Sequence, residues 1–129
     1  MTTCTLEHLT VASDTDLILL RQSLRRNARQ YGLSSTQQAR ITAAISEVMR
    51  ALVGAYSIGD VTIRFDDEPG ERPALAVICS TPNAAYAKIQ DQPLVIEACG
   101  LADQLDLTAD AAEQQVIMRM WATTPRGTL

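Results

Sequence analysis

Glu47 stands in the segment Gln38 to Leu52, where Ile41, Ala44, Ile45, Val48, Met49 and Leu52 recur at the spacing of one buried helical stripe. An acid beside that stripe presents an anionic, acceptor-only side chain at the margin of a core. Taken alone, such an acid is a solvated residue. Arg50 and Ala51 follow three and four positions later, so all three share one stretch of helix surface. The second chemically distinctive set is basic. Arg21, Arg25 and Arg29 are spaced by four and form one stripe, joined by Arg26 and Arg40, so five of the eleven Lys and Arg residues fall between positions 21 and 40. Such a stripe is either a solvated face or a surface that docks an acidic partner.

The elements that must position these residues follow from pattern and punctuation. Leu6, Leu9 and Val11 predict a first strand ending at Ser13-Asp14, which are N-cap residue types. A helix follows to Tyr31, with Leu17, Leu20, Leu24, Ala28 and Tyr31 on one face and Gly32 in a left-handed closing position. Ser35 and Gln38 have capping-box spacing and start a second helix that runs to about Tyr56. Val61, Ile63 and Phe65 alternate with Thr62 and Arg64 as a half-buried strand, and Ala74 to Cys79 is a continuous apolar one. Ala84 to Ile89 reads as a helical turn, Leu94 to Leu101 as a helix, and Leu105 to Thr108 and Gln115 to Trp121 as strands. These elements predict one α+β domain over 1–129, a two-layer sandwich whose mixed, mainly antiparallel sheet carries helices on one face.

Composition narrows the function classes. A net charge of −4 and five aromatic residues (one Phe, one Trp, three Tyr) argue against nucleic acid, which needs many phosphate-neutralising cations or base-stacking rings. Cys4, Cys79 and Cys99 form no CxxC pair and have only His8 as a companion, which predicts free thiols and no metal site. No basic region with an apolar core opens the chain, and no apolar run approaches the ~18 residues that span a bilayer. The expectation is a soluble cytoplasmic protein with no membrane partner.

Several motifs together resemble one family. The run Gln38-Ala39-Arg40-Ile41-Thr42-Ala43-Ala44-Ile45-Ser46-Glu47 is similar to the second helix of bacterial switch-protein serine kinases and anti-sigma factors, which have the histidine-kinase-type (Bergerat) ATPase fold. Ser13-Asp14 through Arg21 resembles the opening of their first helix, Gly32-Leu33 their inter-helix loop, and Leu101-Ala102-Asp103-Gln104-Leu105 the stretch before their penultimate strand. The resemblance implies an ATP and magnesium site in which Glu47 orients water and acts in phosphoryl transfer, beside Arg50. It also makes Arg21 a partner contact.

This chain departs from the family in three places. The magnesium-binding asparagine is replaced by Ala51, which has no oxygen for a cation that demands oxygen ligands. The adenine-reading Asp-x-Gly-x-Gly is replaced by Cys79-Ser80-Thr81-Pro82-Asn83-Ala84-Ala85, where Thr81 offers at most a water-mediated contact to a base. The stretch from Asn83 to Leu94 has no glycine and is too short for a phosphate lid. Phosphoryl transfer depends on metal and phosphate positioning. The expected role is therefore a regulatory protein-interaction module of a partner-switching, stress-response type of signalling pathway, without a bound cofactor. Its expected partner is a STAS-domain antagonist, a sigma factor or a PP2C-type phosphatase, docked through Arg21, Arg25 and Arg29. The alternatives are an active kinase that uses ATP and Mg2+ on a STAS-domain protein, and a homodimeric scaffold.

Overall fold

The computed structural model of the chain describes residues 3–56, 59–67, 70, 72–82, 100–109 and 113–122. β1 (Thr3–Val11) stops where Ser13 takes an extended backbone and its hydroxyl accepts from the Asp16 N–H at 3.2 Å. That cap starts α1 (Asp14–Gln30), and Asp14 and Asp16 in its first turn complement the positive end of the helix. Gly32 closes the turn after α1 with φ +91°, in the left-handed region where a residue without Cβ is unstrained.

The second helix, α2 (Ser35–Tyr56), is capped one residue earlier than its sequence predicts. Ser34 Oγ accepts from the Gln37 N–H at 3.2 Å, and Gln37 Oε1 accepts from the Ser34 N–H at 2.9 Å. The Ser-x-x-Gln spacing occurs twice in succession here, at 34–37 and at 35–38. The pair that caps is the one whose glutamine also reaches β5, since Gln37 Nε2 donates to the Trp121 carbonyl at 2.6 Å.

β2 (Gly59–Asp66), β3 (Ala74–Pro82), β4 (Gln104–Ala109) and β5 (Glu113–Trp121) complete a five-stranded sheet in the order β1-β2-β3-β5-β4. Every pairing among the described residues is antiparallel, where a mixed, mainly antiparallel sheet was expected. The strands also run longer than their apolar runs, because cross-strand hydrogen bonds continue through Thr3, Ser80, Thr81 and Glu113 irrespective of side-chain polarity. The expected helical turn over Ala84 to Ile89 lies outside the described residues, as does most of the expected helix ending at Leu101. Its described end, Gly100 and Leu101, is a turn.

Alternation divides the sheet into two faces. Val61 and Ile63 of β2, Leu75, Val77 and Cys79 of β3, and Val116, Met118 and Met120 of β5 are buried against Leu17, Leu20, Leu24 and Ala28 of α1 and Ile41, Ile45, Val48 and Met49 of α2. Tyr31 stacks on Phe65 with ring centroids 4.8 Å apart, closing this core at the end of α1. The opposite face carries a chain of charges. Asp66 accepts from Arg64 at 2.6 and 3.0 Å and from Arg119 Nε at 3.3 Å, and Arg119 also donates to Asp106 at 2.9 Å. Ala76, paired with both Arg64 and Arg119, is fully buried on that face.

At the margin β1 bulges between Thr5 and Glu7, so that Glu7 pairs with the core-facing Ile63. The Glu7 carboxylate is turned toward α1, accepting from Arg26 Nη2 and Asn27 Nδ2, each at 2.8 Å. Cys4 and Cys79 are free thiols.

Candidate functional site

The side chains that could act on another molecule gather on the outer surface of the helical layer, in the groove between α1 and α2. Thr42 and Ser46 are one turn apart on α2 and face α1. Each hydroxyl donates back to the carbonyl four residues before it, Thr42 to Gln38 at 2.6 Å and Ser46 to Thr42 at 2.8 Å. With its proton committed, the Ser46 oxygen is left to accept, and Arg21 Nε donates to it at 2.8 Å. That contact fixes the plane of the Arg21 guanidinium.

Arg25 lies one turn further along α1, and Glu47 and Arg50 close the far wall. Arg50 Nη1 donates to Glu47 Oε1 at 2.9 Å in an i,i+3 ion pair, with about half of the Arg50 side chain and a third of the Glu47 side chain open to solvent. The groove holds about 340 Å3 and, among the described residues, is lined by three guanidinium groups against one carboxylate. It is therefore an anion-attracting concavity on a chain of net charge −4.

Two sets of residues that look unrelated in the sequence thus meet. Glu47 and Arg50, expected at a nucleotide site, share a groove with Arg21 and Arg25, expected at a partner surface. Arg29 is exposed in the last turn of α1 and is not among the groove residues, because a spacing of four gains about 40° per step around a helix. Arg26, counted with the basic stripe in sequence, is turned away and paired to Glu7. Ala51 is 8% exposed and belongs to the core cluster, and Thr81 is buried near the end of β3. Neither lines this groove.

A second hollow of about 280 Å3 lies beside the first turn of α1, between Val11, Asp14, Leu17, Met49 and Arg50. Arg50 borders both hollows. Among the described residues no three His, Cys, Asp or Glu side chains converge as metal ligands.

Thr42 and Ser46 were missed in the sequence as site residues. Their signal was present, two hydroxyl residues spaced by four beside the apolar stripe, but nothing in it says that the neighbouring surface belongs to Arg21. The chain matches no protein-family model and no curated protein.

Proposed function

We propose that this protein is a regulatory interaction module that docks another protein through the groove between α1 and α2. The observation that carries the reading is the convergence of Arg21, Arg25 and Arg50 in one concavity, with Arg21 held in place by Ser46. A preoriented guanidinium group in a concave surface suits a binding hot spot.

The proposal extends to fold and pathway. Two helices on one face of an antiparallel sheet, together with the motif resemblance, support a histidine-kinase-type ATPase fold. The pathway is then bacterial partner switching in the cytoplasm, and the partner a STAS-domain antagonist, a sigma factor or a PP2C-type phosphatase. Ala51 within the core and Glu47 engaged by Arg50 support nucleotide chemistry that is lost or much weakened.

Purified STAS-domain, sigma-factor and PP2C-type proteins from the same genome, titrated onto the immobilised chain, test this reading. One of them should bind, and Arg21→Ala should weaken the complex at least tenfold. Failure of all three classes, or a complex indifferent to Arg21, would overturn it.

A further inference from the structure

We infer that the groove between α1 and α2 receives a phosphorylated side chain of the partner protein. This rests on the docking reading above and adds the chemistry of what is docked.

Charge is the first argument. The Arg50 and Glu47 side chains neutralise each other, and among the described residues Arg25 has no hydrogen-bond or ion-pair partner, while Arg21 uses only Nε. An excess of two positive charges therefore faces one concavity. A single carboxylate would leave one of them uncompensated. A phosphate monoester carries about −1.5 to −2 at neutral pH and offers three acceptor oxygens, which matches two guanidinium groups with their terminal nitrogens open.

Geometry is the second. Arg21 Nε is taken by Ser46, so the guanidinium cannot swing freely and its two Nη groups are left for a ligand. Ser46 orients and does not recognise, because its proton is already given to the Thr42 carbonyl. A planar donor held in advance, as Arg21 is, loses less freedom on binding than a lysine on a flexible stem. About 340 Å3 accommodates a phosphoryl group together with the side chain that bears it.

The surface next to the groove distinguishes a protein-borne phosphate from a soluble one. Ile18 precedes Arg21 by three residues and Arg25 by seven, which puts it on their side of α1, and it is 51% exposed. A free phosphate has no use for an apolar shoulder beside its site. A polypeptide covers it.

The test is a titration of the isotopically labelled full chain, following the arginine Nε–H resonances. N-acetyl-phosphoserine amide should shift the Arg21 and Arg25 signals and bind about tenfold or more tightly than N-acetyl-aspartate amide. Its affinity should rise between about pH 5.5 and 7.5 as the phosphoryl group takes its second charge, with a pKa near 6. Among the described residues, Glu47 is the titratable acid facing the groove, Arg21, Arg25 and Arg50 are its cations, and its other lining residues are uncharged. Arg21→Lys, which keeps the charge and loses the fork, should weaken the phosphoserine probe several-fold.

Equal affinity for the aspartate probe, no shift with either probe, or tighter binding of Mg-ATP than of the phosphoserine probe would each overturn this inference. The two proposals fail separately. Partner binding that depends on Arg21 in a chain blind to phosphoserine leaves docking intact and removes the phosphate. Phosphoserine binding in a chain whose partner ignores Arg21 does the reverse.

Discussion

Arg21 Nε and Ser46 Oγ, twenty-five residues apart in sequence, are joined by a 2.8 Å hydrogen bond across the seam between α1 and α2. Ser46 is buried and keeps a second hydrogen bond to Thr42, so the serine stays satisfied when the arginine is removed. Arg21→Ala should therefore cost folding only about 1 kcal/mol, the net worth of one hydrogen bond. Partner binding should fall by about 2 kcal/mol or more, as at an arginine hot spot. Arg72→Ala is the control. Arg72 stacks on the Trp121 ring at 5.6 Å, away from the groove, and its loss should leave binding unchanged. Urea unfolding and a binding isotherm on each variant separate the two effects, and association should slow as salt rises.

Nucleotide should leave the chain unmoved. A ligand stabilises the native state by RT ln(1 + [L]/Kd), so a millimolar concentration at micromolar affinity adds about 4 kcal/mol. With Mg-ATP at that concentration the melting temperature should shift by less than a degree, and a clear upward shift in a thermal scan would contradict the interaction reading. Ala51→Asn should not create a kinase, since the adenine-reading acid and the phosphate lid are missing too and such parts act as a unit. Because Ala51 lies in the core cluster, the asparagine amide enters an apolar setting and should cost about 1–3 kcal/mol.

Removing Asp66 should hurt more than removing Asp106. The Asp66 carboxylate is 18% exposed and serves both Arg64 and Arg119, whereas Asp106 is 47% exposed and meets Arg119 alone. Asp66→Ala leaves two partly buried guanidinium groups flanking Ala76 without their shared anion, an expected cost of about 3 kcal/mol in denaturant unfolding. Asp106→Ala should cost about 1 kcal/mol or less, as for a half-exposed pair.

Cys79 predicts the alkaline limb of stability. Burial pushes its thiol up from 9.0 to about 12. Above pH 9 the unfolded chain therefore releases a proton that the folded chain keeps, so stability should fall as pH climbs from 9 toward about 12. Cys79→Ala should flatten that fall in a series of urea titrations, at the expense of a small core cavity. In the native state an alkylating reagent should label the exposed Cys4 and spare Cys79.

Local patterns were legible where one interaction dominates. The stripe Ile41 to Met49 marks the buried face of α2, the alternation in β2 and β5 separates the sheet faces, and Gly32 sits at the positive-φ turn. Where two local solutions are equal, the sequence does not choose. The twin Ser-x-x-Gln pairs differ only in which glutamine reaches Trp121, a contact eighty-four residues away. The site follows the same rule. Arg21 and Arg25 are visible as a stripe and Glu47 and Arg50 as a helix margin, but their meeting depends on how α1 lies across α2. A mainly antiparallel sheet was legible, but the order of its strands was hidden for a like reason, because strand order is decided by long-range packing and not by any one segment.

The bulge at Thr5 to Glu7 bears on how the molecule behaves when crowded. β1 is an edge of the sheet, a nine-residue row of backbone groups where a second copy could lay down another strand. A kinked border with an acid turned inward and tethered to Arg26 and Asn27 is a poor template for that growth. A scaffold built by zipping copies together along β1 would have to straighten the kink and unfasten Glu7 first. Concentrated solutions should therefore stay free of fibres, and Glu7→Val should be the substitution that lets them form.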